Sequence, residues 1–317
     1  MSTFQPAPSP LFTRLVYLAF GLMAMVLMLS AYLRLSGAGL GCAGWPACYG
    51  QGYADPAISK QANTPARLAH RLTATSLSLV ILAISVMAWR RRAQAIGQWG
   101  AALLALGLTL FLSVLGIWTP GTRLPAVVLG NLLGGMALLG VLWWLSLSAR
   151  SQNASRGDAR FRTAAWFGIA LLFVQIGLGG LVSANFAASA CTRFPLCETA
   201  WFDAWSWAAF NPWRALIVQG NGAVAIPLDA AAIHVTHWAT AAAIDIYLLW
   251  LGLTTASSDA ASRYGKALVS LTLLQALLGV AAVKYAHPLA LVLAHNALAA
   301  LLLLTLLSLA YRPHDHA

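Results

Sequence analysis

Ionisable side chains on long apolar segments are the residues of this sequence that could do chemistry. His234 and His237 lie on the segment from about 229 to 252, and Asp245 follows about two turns further along the same helical face. His295 lies on another apolar segment near the end of the chain. Ionisable groups are costly at membrane depth and usually face the bundle interior, where a partner or cofactor meets them. Because two imidazoles on neighbouring helices can bind a haem iron from both faces, we predict that His237 and His295 bind a haem.

The elements that position these residues are membrane-spanning helices. The chain has 317 residues, of which 60% are hydrophobic and 9% are charged, a composition that excludes a water-soluble globular domain. The bilayer core offers no water to the backbone, so each span must be an α-helix, and the chain is predicted to be an all-α polytopic membrane protein in contact with the lipid bilayer. Eight apolar stretches are long enough to span: 14–36, 67–89, 96–118, 124–147, 163–184, 229–252, 265–286 and 288–310.

The positive charge of the chain indicates membrane topology rather than nucleic-acid binding. The formal net charge is +11, and the basic residues concentrate at both termini and at the connections between spans 2 and 3, 4 and 5, and 6 and 7. By the positive-inside rule these regions are cytoplasmic. The protein is therefore predicted to lie in a bacterial-type inner (plasma) membrane, with both termini on the cytoplasmic side and the odd-numbered connections on the outer side. The first apolar core is too long for a signal peptide and is predicted to remain as the first helix.

The second half of the chain repeats the plan of the first. Each half has a Cys-x5-Cys spacing after its first span and a histidine near the start of its second span, His70 and His237. About two turns into the fourth span, Asn131 of the first half corresponds to His295 of the second. We predict two tandem four-helix bundles related by a pseudo-twofold axis along the membrane normal. The predicted halves are 1–155 and 156–317.

The cysteines all lie in the predicted outer loops, which face an oxidising compartment. Five residues separate the two members of each pair, so one disulfide per loop is expected. Unpaired structural thiols are the alternative, and the spacing does not distinguish a structural disulfide from a redox-active one. The predicted pairs are Cys42 with Cys48 and Cys191 with Cys197.

An ordinary structural role is also open to the intramembrane histidines. A single buried imidazole commonly forms a hydrogen bond with a neighbouring helix. However, His70, His237 and His295 all lie near the outer ends of even-numbered spans, and this shared position favours haem binding. Zinc would require more ligands close by than these spans offer. Haem needs only one or two histidines and an apolar pocket.

Several of the remaining ionisable residues have two interpretations. His234 is either a partner of His237 or an incidental neighbour, and His287, at the membrane edge, is predicted to be solvated, as are His314 and His316 in the tail. Asp245 could be paired internally or belong to a proton path. Three arginines near the outer surface could reach lipid headgroups or bind haem propionates. They are Arg34, Arg67 and Arg71, of which the first and last are predicted to bind the haem.

Several segments resemble those of the haem A synthase family, whose members convert haem O to haem A for cytochrome oxidase. They span almost the whole chain in the order expected of the family. The segments are RLSGAGLGCAGWPACYG after span 1, AHR at 69–71, GGLVSANFAASACTRFPLC after span 5, HVTH at 234–237 and AHNALAALLL at 294–303. The resemblance implies two four-helix halves, with haem b between His237 and His295 in the second half. The first half would bind and oxidise haem O.

The substrate half departs from the family pattern at two positions. The family usually has a glutamate three residues before the first histidine and a second histidine on helix 4, whereas this chain has Arg67 and Asn131 there. An arginine cannot accept a proton, and an amide is a poor iron ligand compared with imidazole. His70 then remains as the substrate-side ligand. Trp238 also stands where an arginine often follows the helix 6 histidine.

The resemblance implies a membrane oxidoreductase that converts the haem O methyl group to a formyl group. The alternative is a haem-binding paralogue without catalysis, acting as a haem carrier, an oxidase assembly partner or an electron-transfer cytochrome, and Arg67 favours this alternative. A secondary transporter is disfavoured by the unbroken spans and by the lack of midplane charge other than Asp245. The expected partners are haem O and haem A, with haem O synthase, oxidase assembly factors and a second copy of the chain as candidates.

Overall fold

Eight long helices make up most of the structure, a computed structural model that describes residues 9–37, 64–93, 96–118, 124–150, 159–190, 197, 205–217, 219, 224–258 and 261–311. The helices are α1 Pro10–Gly37, α2 Thr64–Arg90, α3 Ile96–Trp118, α4 Pro125–Arg150, α5 Ala159–Ala184, α6 Ala230–Ala256, α7 Ser262–Lys284 and α8 Leu289–Ala310. All eight are long and apolar enough to cross a membrane. The eight predicted spans are therefore confirmed, and the chain is an integral membrane protein.

Proline residues mark the beginnings of several helices. Pro10, Pro65 and Pro125 stand in the first turns of α1, α2 and α4, where an N–H group has no partner within the helix and its loss costs nothing. Pro288 immediately precedes α8. In the apolar segments that follow these prolines, the bilayer core offers no water to the backbone N–H and C=O groups, so these groups form hydrogen bonds within the helix.

The helices form two rings of four. Contacts join α1 to α2, α2 to α3, α3 to α4 and α4 back to α1, and the second half repeats this order with α5, α6, α7 and α8. Between the halves, α4 contacts α5 and α8, and α1 contacts α8. Exchanging each helix with its counterpart in the other half converts this set of contacts into itself, which is consistent with the predicted pseudo-twofold axis. The predicted boundary near residue 156 lies outside the described residues and stays a prediction.

One hydrogen bond between the two halves lies where α4 meets α8. The indole Nε1 of Trp143 on α4 donates to Ser308 Oγ on α8 over 2.8 Å. Around this bond, buried apolar side chains from all eight helices form one core. The outward faces expose large apolar residues, as expected of helices whose solvent is lipid. Examples are Leu79, Leu110 and Leu277.

The connection between α5 and α6 packs against one end of the bundle. We call this the cysteine end, because α1 and α5 both lead there into the cysteine-bearing segments. The connection contains two short 3-10 helices, Ala187–Ala190 and Trp207–Phe210. Within this connection, Arg214 donates two hydrogen bonds, of 2.7 and 3.0 Å, to the carboxylate of Asp229, the last residue before α6. Apolar residues of the connection pack with Leu35 of α1, so this segment is anchored to both halves.

Candidate functional site

One cavity lies among the four helices of the second half, towards the cysteine end. Its volume is about 400 Å³, within the range of about 300–1,000 Å³ typical of ligand and cofactor sites. The lining is mostly apolar, and α1 and α4 of the first half contribute to it through residues that include Leu35 and Met136. The ionisable residues of the lining are Arg34, His234, His237, Asp245, His287 and His295. His237 and His295 therefore lie in one cavity.

The order of the helices places these two histidines on opposite sides of the cavity. In the ring of the second half, α6 and α8 are diagonal neighbours, each separated from the other by α5 and α7. His237 belongs to α6 and His295 to α8. A planar ligand in the middle of the ring would therefore meet one imidazole from each side.

His237 is fixed by the neighbouring helix α5. The side-chain amide nitrogen of Gln175 lies 3.0 Å from His237 Nδ1 and donates to the His237 carbonyl oxygen over 2.8 Å. The hydroxyl group of Thr240 donates to Gln175 Oε1 over 2.7 Å, so both ends of the amide have partners. One turn along α5, a Cβ atom on Gly179 would lie 3.0 Å from His237 Cε1. The ring can lie against α5 only because this residue has no side chain.

His295 has a similar but weaker arrangement with α7. Gln275 Nε2 lies 3.1 Å from His295 Nε2, and a Cβ atom on Gly279 would lie 3.4 Å from His295 Cε1. His295 Nδ1 and Gln275 Oε1 are both buried, and neither has a hydrogen-bond partner in the part of the chain that the structure describes. Buried polar atoms without partners are rare in proteins, and a functional role or a bound water or ion is the usual explanation.

A second pair of histidines lines the cavity near the cysteine end. The rings of His234 and His287 have their centroids 5.8 Å apart, and the two residues are only 5% and 7% exposed. The prediction that His287 is solvated is wrong. Ala286 and His287 both adopt left-handed backbone conformations, with φ of 56° and 55°, and this turn buries the imidazole. Burial, and to a lesser degree the nearby His234, lower the pKa of His287 to about 4, so the side chain is neutral near pH 7.

Arg34 reaches the cavity from the first half of the protein. Its Nη1 donates to Ser183 Oγ at the end of α5 over 2.6 Å, and Arg34 is the one lysine or arginine of the described lining. Arg34 and Ser183 stand eight positions before Cys42 and Cys191, the first cysteines of their halves. Equivalent residues of the two halves thus meet, as expected near a twofold axis. The predicted haem residue Arg34 is in the same cavity as His237 and His295.

The other predicted site residues lie outside this cavity. Arg67, His70 and Arg71 are on α2, where both arginines are exposed and His70 is half-buried. Asn131 is half-buried on α4, which is diagonal to α2 in the first ring. His70 and Asn131 therefore occupy helices that correspond to those of His237 and His295. The structure does not place Arg71 beside the haem site predicted in the second half.

The predicted disulfides fall mostly outside the described residues. Cys42, Cys48 and Cys191 are not described, and Cys197 packs beside Ala231 and Val235 of α6. Cys197 is not a free thiol, but its partner is not among the described residues. Both pairings stay predictions.

The donor set of the cavity fits a haem better than a bare metal ion. Within the described ranges, no group of three or more His, Cys, Asp or Glu side chains converges, and a bare metal ion usually needs such a group. A haem brings its own equatorial ligands and needs only axial histidines in an apolar pocket. The cavity offers His237 and His295 for the iron, Gly179 and Gly279 beside their rings, and Arg34 at one end for an acidic group.

Sequence reasoning missed the residues that hold the two imidazoles. Both lie in a Gln-x3-Gly pattern, QIGLG at 175–179 on α5 and QALLG at 275–279 on α7. A glutamine inside an apolar span is itself a signal, because its amide must find a partner at that depth. The spacing of four residues puts the glutamine and glycine on the same helical face.

Comparison with known proteins identifies the family. A family model described as cytochrome oxidase assembly protein (COX15-CtaA) matches residues 13–307. The protein named "Heme A synthase" in Shewanella oneidensis is 33% identical to this chain over 306 residues, which cover 90% of this chain and 92% of the relative. The chain belongs to the haem A synthase family. The resemblance drawn from the sequence segments is confirmed.

Two further relatives extend the likeness of this haem A synthase family member to other bacteria. The protein named "Heme A synthase" in Shouchella clausii is 25% identical and covers 82% of this chain and 82% of its own length. The one in Rhizorhabdus wittichii is 27% identical, covering 75% of this chain and 68% of its own length. The family match includes α2 and α4, which carry Arg67 and Asn131.

Proposed function

We propose that this protein takes part in haem A biosynthesis, converting the methyl group of haem O to the formyl group of haem A for cytochrome c oxidase. The observation that carries the proposal is the approach of His237 and His295 to one apolar cavity from diagonal helices, in a chain of the haem A synthase family. We further propose that this cavity holds a haem b as a resident cofactor.

The haem b site would use residues from both halves. His237 and His295 would bind the iron, since neutral imidazole is a common axial haem ligand. Arg34, already aligned by its bond with Ser183, would bind a propionate, because a guanidinium pairs with a carboxylate through two parallel hydrogen bonds. Haem b, when bound, would supply one-electron transfer. The apolar lining would exclude water around it.

Haem O would bind in the first half with His70 as its iron ligand. Oxidation of a methyl group to a formyl group with water as the oxygen source adds one oxygen atom and releases four electrons and four protons. The substrate site therefore needs access to water, an external electron acceptor and a proton acceptor. Arg67 is permanently charged and cannot accept the proton. Asn131 is a weaker iron ligand than the histidine usual in the family. Solvent or another side chain would then accept the proton.

The membrane orientation follows from the charge distribution rather than from the helices themselves. We propose that both termini are cytoplasmic and that the cysteine end faces outwards, because the basic residues concentrate at the opposite connections. This orientation puts Cys42 with Cys48, and Cys191 with Cys197, in an oxidising compartment where each pair would form a disulfide. The Cys42–Cys48 loop would cover the outer side of the substrate pocket.

The second candidate function is a haem-binding paralogue that does not oxidise haem. Arg67 and Asn131 favour it, since the two residues stand at the positions of the family glutamate and histidine on α2 and α4. Such a protein could carry haem, assist oxidase assembly or transfer electrons. The identity of 33% with a relative named "Heme A synthase" over 90% of this chain favours the enzyme.

The test is haem A formation in a bacterial host that makes haem O but lacks its own haem A synthase. Haems are extracted after expression of the full chain, separated by chromatography and compared with those from a family member that is active in the same host. Haem A, or its hydroxylated precursor, is the expected product. If the active relative gives haem A and this chain leaves only haems B and O, the non-catalytic function replaces the proposal.

A further inference from the structure

Four large apolar side chains of the connection between α5 and α6 are exposed at the protein surface. Their exposed fractions lie between 69% and 85%, and none of the four lines the cavity. Large apolar residues exposed together usually mark a surface that contacts lipid or another molecule. We call these residues the apolar patch: Trp207, Trp213, Ile217 and Leu228.

The patch lies where two membrane spans begin. Ala209 of the second 3-10 helix packs against Ala230 and Ile233 in the first turn of α6. The carbonyl oxygen of Pro212 accepts a hydrogen bond of 2.8 Å from the backbone N–H group of Ala126, in the first turn of α4. This part of the connection therefore runs beside the starts of both α4 and α6.

These helix starts lie at the depth of the lipid headgroups. The helix α4 has 26 residues and α6 has 27, so at 1.5 Å per residue each is about 40 Å long. Because the hydrocarbon core is about 30 Å thick, the end turns of both helices extend into the headgroup region. Tryptophan is enriched at this depth, since its ring is apolar and its N–H group can still bond to water or a headgroup.

The connection also lies between α6 and the surrounding lipid. Further along α6, Ile246 and Leu253 are exposed on the outer face of the bundle. In contrast, all of the first six residues of α6, 230–235, are buried. Ala209 and Cys197 of the connection pack against these buried residues. The connection therefore covers the side of α6 that would otherwise contact lipid, and its own outer side lies at the lipid boundary.

The charges of the connection are consistent with contact with lipid. In its described part, Arg214 and Asp229 are the only charged residues, and they form an ion pair with two hydrogen bonds. An unpaired charge would be costly beside acyl chains. A connection that faces water commonly carries solvated charges instead.

We propose that the apolar patch is a membrane anchor, which lies among the lipid headgroups and the adjoining acyl chains of the leaflet at the cysteine end. On the inner side of the same connection, Leu216 and Ile226 belong to the apolar cluster around Leu35, a residue of the cavity lining. The connection is thus apolar on both sides, against the protein on one side and against lipid on the other. This inference depends neither on the proposed haem b site nor on the direction in which the chain crosses the membrane.

Photo-crosslinking of the full chain in cell membranes identifies what the patch contacts. The photo-reactive residue p-benzoylphenylalanine is placed at position 207 or at position 213, and the adducts formed on illumination are identified by mass spectrometry. Phospholipid adducts are expected at both positions. The same residue at the exposed Leu79 of α2 should also give a lipid adduct, and at the buried Phe12 of α1 it should give none.

Two results of the crosslinking would overturn the proposal. A crosslink from position 207 or 213 to a protein, including a second copy of this chain, would show that the patch is a protein-docking surface. The lack of a lipid adduct at both positions, while position 79 gives one, would show that the patch faces water.

A second measurement uses only conservative changes and so protects the test against a misfolded variant. Trp207→Phe and Trp213→Phe are combined, and the fluorescence lost relative to the unaltered protein is the emission of these two residues. Both proteins are reconstituted in phosphatidylcholine vesicles whose acyl chains carry bromine, a contact quencher, either close to the headgroup or close to the chain end. Bromine close to the headgroup should quench this emission more strongly. Emission that neither lipid quenches, or that bromine at the chain end quenches more strongly, contradicts the proposed anchor.

Discussion

Gly179 offers the sharpest perturbation of the haem site, because a single methyl group there would meet the ring of His237. A Cβ atom at this position would lie 3.0 Å from His237 Cε1, 3.6 Å from Nδ1 and 3.7 Å from Nε2. The imidazole cannot easily retreat, since Gln175 holds both its ring and the carbonyl oxygen of the same residue. Overpacking of this kind costs about 1–3 kcal/mol.

Gly279→Ala is the matched control for Gly179→Ala. A Cβ atom on Gly279 would lie 3.4 Å from His295 Cε1 and 3.8 Å from Nδ1, which are ordinary van der Waals contacts, and Gln275 holds the His295 ring by one bond only. If the strain at Gly179 falls on the haem-bound state, haem retention should decrease by about 5- to 150-fold. The Gly279 variant should stay close to the unaltered protein.

Haem content per chain after purification, and the rate of haem transfer to an excess of apomyoglobin, measure this difference. Helix content by circular dichroism shows whether each variant has folded. A Gly179→Ala variant that folds and retains haem as well as the unaltered protein would refute the role given to the contact between Gly179 and His237. A greater loss of haem in Gly279→Ala than in Gly179→Ala would refute it as well.

Three other changes test separate parts of the account. Arg34→Ala should weaken haem retention by about tenfold, as expected for loss of a charge-assisted hydrogen bond, whereas Arg71→Ala, exposed and outside the cavity, should not. Burial lowers the pKa of His287 to about 4, so the unfolded chain binds a proton at this residue at a higher pH than the folded protein does. The free energy of unfolding therefore falls as the pH decreases from about 6.5 towards 4, by at most about 1.4 kcal/mol per pH unit. His287→Asn should therefore flatten the fall in thermal midpoint between pH 7 and 4.5. Arg67→Glu combined with Asn131→His should raise haem A formation per bound haem, and no gain would show that these residues do not limit it.

The helices could be predicted almost completely because the membrane leaves the backbone so few choices. An apolar run of about 20 residues must pair its own N–H and C=O groups, so span positions follow from composition and from prolines such as Pro65 and Pro125. That His237 and His295 line one cavity could be predicted for the same reason, because costly groups at similar depth face the interior together.

The errors arose where the chain leaves the regular helix. The sequence predicts a solvated His287 because this residue lies between two spans. The dipeptide Ala286–His287 does not predict the left-handed backbone that both residues adopt, since glycine or asparagine usually adopts it. The bond from Arg34 to Ser183 crosses from one half to the other. It depends on how the halves pack, and sequence spacing alone places Arg34 only near the outer surface.

The glutamines were overlooked for a different reason. Gln175 and Gln275 are single polar residues in apolar spans, and their importance appears only when the facing helix is known. Gln175 meets His237 of α6, and Gln275 meets His295 of α8. The Gln-x3-Gly pattern shared by α5 and α7 could have drawn attention to them, since the glycine makes room for the ring that the amide contacts.

The most direct test of the central claim is the electron paramagnetic resonance spectrum of the oxidised protein, recorded for the unaltered chain and for His237→Ala and His295→Ala. A low-spin signal typical of two axial imidazoles is expected in the unaltered protein. Each variant should lose that signal, with the bound haem becoming high-spin or absent. An unchanged low-spin signal in either variant would contradict the assignment of the cavity as a haem site between His237 and His295.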